Sequence, residues 1–326
     1  MYESKLSIIE TQKGIKKIKD FFQIELAKEL NLLRVSAPIL VASDSGLNDN
    51  LSGVERPVNF DLLSGQTVQI VHSLAKWKRK ALNDYGFTIG EGLYTDMNAI
   101  RRDEELSNIH SIYVDQWDWE KVISQENRTL DNLYSIVEQI YSVLLKTEDM
   151  ILHTYPQLAK KLPDKITFIS AQELEDLYPN LTPKQREDEI CQKYGAVFIS
   201  QVGKILGSGK PHDLRAPDYD DWELNGDILI YNPVLKRAFE ISSMGIRVDQ
   251  KALIHQLEVT NTMNRLQLPY HQDLMNGLYP FTIGGGIGQS RLCMFFLEKI
   301  HIGEVQSSIW PVDMIEKCRQ QNIYLL

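Results

Sequence analysis

The run Ile283-Gly284-Gly285-Gly286-Ile287-Gly288-Gln289-Ser290-Arg291-Leu292 constrains this chain most. Four glycines in five positions let a backbone approach a ligand with no Cβ in the way, and permit φ > 0 where a turn needs it. Gln289 to Leu297 reads as a helix, and its free N–H groups favour an anion, with Arg291 in the first turn. The two common phosphate signatures fail. A P-loop needs Gly-Lys-Ser/Thr where the chain has Gln-Ser-Arg, and a dinucleotide fingerprint needs glycine at position 289. Two readings stand on these residues alone: a phosphate cradle, or a glycine-rich turn that packs a helix closely on a strand.

Other elements follow from periodicity. Ile15, Ile18, Phe22, Leu26 and Leu30 recur at helical spacing, predicting an amphipathic helix over 15–30. Leu32 to Val41 reads as a strand interrupted by Pro38, which belongs at an edge, a bulge or an interface. Leu133 to Leu144 marks a long helix. Ser170-Ala-Gln-Glu173 and Thr182-Pro183-Lys-Gln185 are capping boxes, and the second opens a helix closing near Gly195. Residues 203–213 form a Gly/Ser/Lys/Pro loop, expected to be mobile. Lys76-Trp77-Lys78-Arg79-Lys80 fits either a basic-aromatic patch or the solvated face of a helix with one or two lysines reaching a pocket.

Ile109 to Glu120 alternates with period two. Val114, Gln116 and Asp118 fall on one face, and Tyr113, Asp115, Trp117 and Trp119 on the other. The tryptophans anchor a core, so the polar face, near Arg101, reads as a pocket wall, against the alternative of a plain solvated sheet face. Downstream, Asn225-Gly226-Asp227 leads a strand Ile228 to Tyr231, and Asn232-Pro233 turns it into a return strand Phe239 to Arg247. Glu240 and Ser242 share one face of that strand. Asp227 and Glu240 are candidate ligands of a divalent cation, against the alternative of two solvated or salt-bridged carboxylates. Hairpin connections predict an α+β fold with a mostly antiparallel sheet flanked by helices.

The net charge of −9 over 326 residues argues against a broad nucleic-acid footprint. Three scattered cysteines fit neither a disulfide scaffold nor a zinc site, and no apolar run approaches the ~20 residues of a membrane span. A cytoplasmic protein with no membrane or nucleic-acid partner is expected.

The segment from Ile100-Arg101 through the acidic loop to His110-Ser-Ile-Tyr-Val-Asp-Gln116-Trp-Asp118-Trp-Glu120 resembles motif 2 of class II aminoacyl-tRNA synthetases, nearest the aspartyl type. Residues 282–297 resemble motif 3, and the helix and strand over about 13–41 resemble motif 1, which builds the dimer interface in that family. The similarity is closer to the ammonia-dependent asparagine synthetases. Their characteristic runs stand here as Asp49-Asn-Leu-Ser-Gly53, His72-Ser-Leu-Ala-Lys-Trp-Lys-Arg79, Gly90-Glu-Gly-Leu-Tyr-Thr95, Arg215-Ala-Pro-Asp-Tyr-Asp-Asp-Trp222, Ser242-Ser-Met-Gly-Ile-Arg247 and Gly284-Gly-Gly-Ile-Gly-Gln-Ser-Arg291.

The resemblance implies a homodimer that converts L-aspartate, ammonia and ATP, with Mg2+, into asparagine through β-aspartyl-AMP. By position, Arg101 would join the activated carboxylate to the α-phosphate, and Arg291 would lie across adenine near the γ-phosphate. Gln116 and Asp118 complete the catalytic set. Asp49 would take the α-ammonium, with Ser73, Lys78, Asp220 and Ser243 around the amino acid. His110, Val114, Glu240, Gly286 and Gly288 fall to ATP, and Asp227 with Glu240 to the metal. Asp220 or Asp118 would accept the ammonium proton. Two positions depart from the synthetase pattern. Asp103, with Glu104 beside it, stands where motif 2 has Glu, and Val114 stands where it has the adenine-stacking aromatic, leaving His110 or Arg291 to carry the base.

A single catalytic domain over 1–326 is expected, without anticodon-binding or glutaminase parts: the first helix starts near residue 1, residue 2 is Tyr and the first cysteine is Cys191. Two other functions use the same residues. One is a ligase passing aspartyl-AMP to a tRNA or a protein lysine, and the acidic charge weighs against tRNA. The other is a non-catalytic regulatory paralogue, against which Arg101, Arg291 and Glu240 all count.

Overall fold

A computed structural model describes residues 2–49, 51 and 55–326; the run Asp49 to Gly53 falls partly on positions 50, 52 and 53, outside the described residues. The chain begins with α1 (Ile8–Leu30), β1 (Leu32–Arg34), β2 (Leu40–Ala42), β3 (Asn59–Asp61), β4 (Thr67–Ile70) and α2 (Ala75–Asp84). It continues with β5 (Gly92–Ile100), β6 (Tyr113–Val122), α3 (Leu130–Thr154), β7 (Thr167–Ser170), α4 (Ala171–Leu177), α5 (Pro183–Tyr194) and β8 (Ala196–Ser200). The last part holds β9 (Asp220–Asn232), β10 (Arg237–Arg247), α6 (Gln250–Val259), α7 (Pro269–Met275), β11 (Thr282–Gly288), α8 (Gln289–Phe296) and α9 (Val312–Gln320).

Eight strands form one sheet in the order β1-β5-β6-β11-β10-β9-β8-β7; the outer pairs β1–β5 and β7–β8 are parallel and the pairs between them antiparallel. Helices α1, α3 and α8 supply much of the core against one face. Ile18, Phe22 and Leu26 of α1 are fully buried there, and Phe22 stacks on Trp117 with ring centroids 4.7 Å apart. The tryptophan face of β6 therefore looks into the core, as its alternation requires. Both capping boxes form, Ser170 with Glu173 and Thr182 with Gln185, and Gly195 closes α5 at φ 79°.

Several expectations need correction. Helix α1 starts at Ile8 rather than Ile15, because Ser7 and Glu10 form a capping box of their own. The stretch 32–41 is not one strand: β1 pairs with β5, whereas β2 joins a separate sheet β2-β4-β3, and Pro38, which has no N–H to give a ladder, lies in the break. Strand β9 begins at Asp220, eight residues before Ile228. The glycine run is neither turn nor loop but β11, in the middle of the sheet, and none of its glycines has positive φ. Their use is close approach alone: a Cβ at Gly285 would stand 2.5 Å from Met244 Cβ, and one at Gly284 would meet the Glu120 carboxylate at 2.5 Å.

The basic run on α2 is not a solvated face. Lys76, Lys78 and Arg79 are all buried, each with a partner from a distant segment, as a buried charge requires. Lys76 donates to Asp218 at 3.1 Å, and Arg79 donates to the carbonyls of Val248 at 2.7 Å and Pro280 at 2.9 Å.

Candidate active site

Opposite the helical core, β6, β10 and β11 floor a cavity of about 490 Å3. Val114, Gln116 and Asp118 line it from β6, and Gly286 and Gly288 from β11. Glu240 and Ser243 line it from β10, with Arg291 from the first turn of α8. Asp49, Ser73 and Lys78 close one end; Arg101, His110 and Asp220 enter from loops and strand starts. Of the residues expected from the sequence, Asp227 alone is absent from the wall.

Buried charge is concentrated at one end. Lys78, with no solvent exposure, donates to Asp118 Oδ1 at 2.7 Å and to the Gly285 carbonyl at 3.1 Å. The other oxygen of Asp118 accepts from the Leu74 N–H at 3.1 Å, just ahead of α2. Arg247 donates to Glu120 at 2.8–3.1 Å and also pairs with Asp220. Burial lowers the Lys78 pKa despite Asp118, and burial raises that of Asp220 despite Arg247. Asp49 is buried; its Oδ2 accepts from Ser73 Oγ at 2.8 Å and its Oδ1 from the Leu51 N–H at 2.8 Å.

The other end is more open. Arg101 stands 3.9 Å from Glu104, and its Nε has no hydrogen-bond partner among the described residues. Arg291 donates to the Glu240 carbonyl at 2.9 Å, approaches the Glu240 carboxylate at 3.9 Å and lies over the Phe239 ring. Burial raises the pKa of Glu104, and both guanidinium groups, Arg101 and Arg291, oppose that rise. Asp103 is tied to Arg56 instead, so Glu104 is the carboxylate facing Arg101. His110 is held neutral: burial first, then Arg291, push its pKa down to about 4. Val114 lies in the wall at the position of the missing aromatic, in the same cavity as His110 and Arg291.

Strand β10 corrects the expected pairing of Glu240 with Ser242. A bulge lies between them, so Ile241, Met244 and Ile246 all reach the core, and Ser243 stands opposite Asp227. Alternation fails where one extra residue enters. Asp227 sits behind Arg215, whose guanidinium pairs with it and with Asp213 at 2.7 Å. Burial raises the Asp227 pKa, opposed by Arg215 and reinforced by Glu240 and Asp213; Asp227 Oδ1 has no hydrogen-bond partner among the described residues. Among the described residues no set of three or more His, Cys, Asp or Glu is arranged around a metal position.

Sequence reasoning missed Glu120, Arg215 and Arg247. Glu120 continues the parity of Gln116 and Asp118 one step further, which was a usable signal. Arg247 follows Ser243 by an even number of residues beyond the bulge. No pattern marked Arg215, because it comes from a loop.

Comparison with known proteins agrees with this geometry. A family model described as aspartate-ammonia ligase matches residues 9–322. The aspartate–ammonia ligase of Fusobacterium nucleatum is 61% identical over 325 residues, covering 100% of this chain and 99% of the relative. That of Bacillus mycoides is 58% identical over 326 residues, covering 100% of both chains. Among solved structures, the asparaginyl-tRNA synthetase of Pyrococcus horikoshii complexed with asparaginyl-adenylate superposes with a TM-score of 0.69 at 15% identity, over 93% of this chain and 70% of that one. The asparaginyl-tRNA synthetase of Entamoeba histolytica gives 0.65 at 14% identity, over 92% and 66%. The fold is that of the class II aminoacyl-tRNA synthetases, and by sequence the chain belongs to the aspartate–ammonia ligase family.

Proposed function

We propose that this enzyme makes L-asparagine from L-aspartate and ammonia at the expense of ATP, through β-aspartyl-AMP. In the first step a β-carboxylate oxygen attacks the α-phosphorus, and the bond to the β-phosphate breaks to release pyrophosphate. In the second, ammonia attacks the acyl carbon and AMP leaves. The observation carrying this reading is that Arg101 and Arg291, from distant parts of the chain, line one cavity and both act on Glu104. Negative charge accumulating around phosphorus is best met by such preorganised cations.

Arg101 bridges the reacting carboxylate and the α-phosphate, as a planar fork can. Arg291, with His110 and Val114, receives the nucleotide. Asp49 takes the α-ammonium, supported by Ser73; Gln116, Lys78 and Ser243 shape the amino-acid end. Of the two candidate bases, Asp220 suits the ammonium proton better. Both oxygens of Asp118 are already engaged, by Lys78 and Leu74, whereas burial raises the proton affinity of Asp220.

Mg2+ fits beside Glu240 and Asp227, since two mutually repelling carboxylates, Asp227 buried and Glu240 half-buried, favour a cation, and one oxygen of Asp227 has no hydrogen-bond partner among the described residues. When bound it would neutralise phosphate charge. Nitrogen enters as ammonia: all three cysteines are buried, and burial raises their thiol pKa values, which leaves no thiolate for glutamine cleavage.

The same reading places the enzyme in the cytoplasm, as a homodimer across α1 and β1. Ile24 and Leu33 expose large apolar surface there, and among the described residues no helix is long and apolar enough to cross a membrane. Incubation with ATP, aspartate and ammonium tests the chemistry. Asparagine and AMP should appear together and only with all three; AMP formed without ammonia dependence, or no asparagine, overturns it.

A further inference from the structure

We infer that Asp115 is a positioning residue that caps α8 from a neighbouring strand and thereby aims Arg291 at the nucleotide. This rests on the role given to Arg291 above. Helix α8 has Gly288 at its N-cap, so its first turn has no side-chain cap of its own. Such N–H groups need an acceptor from elsewhere. Asp115 supplies it: Oδ1 accepts from the Ser290 N–H at 3.1 Å, and Oδ2 accepts from Ser290 Oγ at 2.8 Å.

The carboxylate is buried and held from two further sides. Lys19 of α1 donates to Oδ2 at 2.9 Å, and Gln306 donates to Oδ1 at 3.2 Å and to Ser290 Oγ at 3.1 Å. Its own strand pairs with β11 up to Gln116 and Gly288, so Asp115 stands just where β11 gives way to α8. Arg291 is the residue after Ser290, and its side chain folds back across Gly288, where a Cβ would lie 3.2 Å from Arg291 Cβ. The direction of the guanidinium therefore follows the set of this first turn. A negative charge at a helix N-terminus also strengthens the turn it caps.

The test is a double-mutant cycle on ligand affinity, which needs no turnover. Dissociation constants for ATP and for aspartate are measured by calorimetry on wild type, Asp115→Ala, Asp115→Asn, Arg291→Ala and the Asp115→Ala/Arg291→Ala pair. Asp115→Ala should weaken ATP about tenfold and change aspartate by less than about twofold, and Asp115→Asn, which keeps an oxygen for the Ser290 N–H, should lose less. The pair should bind ATP no more weakly than Arg291→Ala alone, because both changes remove one interaction. Equal losses for both ligands, or losses that multiply in the pair, would overturn the inference and leave the role of Arg291 standing. An Arg291→Ala protein that binds ATP normally would overturn both. Should Asp115→Ala fail to fold, Ser290→Ala removes the Oγ contacts to Asp115 and Gln306 but keeps the N–H to Asp115, and should weaken ATP selectively; unchanged ATP affinity would overturn the inference.

Discussion

Lys78 and Asp118 form an ion pair at 2.7 Å with essentially no solvent on either side chain, between the start of α2 and the pocket face of β6. Its geometry commits the fold as well as the site. Removing one partner of a buried pair leaves the other charge uncompensated, at a cost of about 3–5 kcal/mol. Lys78→Met should therefore lower unfolding free energy by that amount in urea titration, besides abolishing activity. A loss below about 1 kcal/mol would mean that Asp118 is satisfied by the Leu74 N–H alone.

Arg101 presents the opposite case. The Glu104 carboxylate stands 3.9 Å away and the Arg101 side chain remains partly open to water, so this pair contributes little to stability. Arg101→Ala should cut turnover by about 10²–10³-fold, the size seen when one transition-state donor is lost, with an unchanged melting temperature. Arg101→Lys should recover little, since an ammonium cannot present two parallel donors. Single-turnover adenylate formation together with thermal melting checks both halves.

Much of this site was legible in the sequence because strands carry a strict period. Val114, Gln116 and Asp118 were placed together by parity, and the tryptophans between them fixed which side was core. Parity failed at β10, where nothing in composition marks the bulge that sends Ser243, not Ser242, to the Asp227 side. The burial of Lys76, Lys78 and Arg79 was likewise unreadable, because their partners Asp218, Asp118 and the Val248 carbonyl lie far along the chain. The Ser7-Glu10 box was readable and was passed over in favour of apolar spacing. Glycine's two uses, free φ and missing bulk, look identical in a sequence; only the neighbouring strands show that β11 needs the second.

Two adjacent glycines in β11 should consequently behave differently. At Gly285 an added methyl would meet Met244 Cβ and, at 2.7 Å, the Ser243 carbonyl, both parts of a packed strand that cannot yield. At Gly286 it would meet the Gln116 amide and, at 3.1 Å, Asp118 Oδ1, which belong to the cavity wall. Gly285→Ala should lower stability by about 1–3 kcal/mol through overpacking. Gly286→Ala should leave the melting temperature closer to wild type while raising KM for aspartate. Equal melting temperatures for the two variants would contradict this division.

The carboxylates near Arg215 bear on metal dependence. Glu240 lines the cavity and repels Asp227, so replacing it by Gln removes one of the two charges that would attract Mg2+. Glu240→Gln should raise the Mg2+ concentration for half-maximal pyrophosphate exchange by about tenfold, and weaken Mn2+ binding followed by its spin resonance signal. A chelator should abolish exchange in wild type. Unaltered Mn2+ affinity in the variant would place the cation elsewhere.

His301 gives the fold a defined acid sensitivity. It is buried, its Nδ1 accepts from the Gly303 N–H at 3.0 Å, and burial pushes its pKa down to about 4 from the ordinary 6.5. Above pH 6.5 the ring is neutral in both folded and unfolded chains and has no effect on the balance. Between 6.5 and 4 the unfolded chain takes up the proton first, so unfolding becomes easier as pH falls, by at most about 1.4 kcal/mol per pH unit for one proton. His301→Asn keeps an acceptor for Gly303 and carries no titrating group. The difference in stability between wild type and this variant should therefore be flat from pH 8 to 7 and should tilt against wild type between about 6.5 and 4. Denaturant titrations at matched pH measure it, and a difference that stays constant down to pH 4 would show that the ring takes up its proton as readily in the folded chain as in the unfolded one.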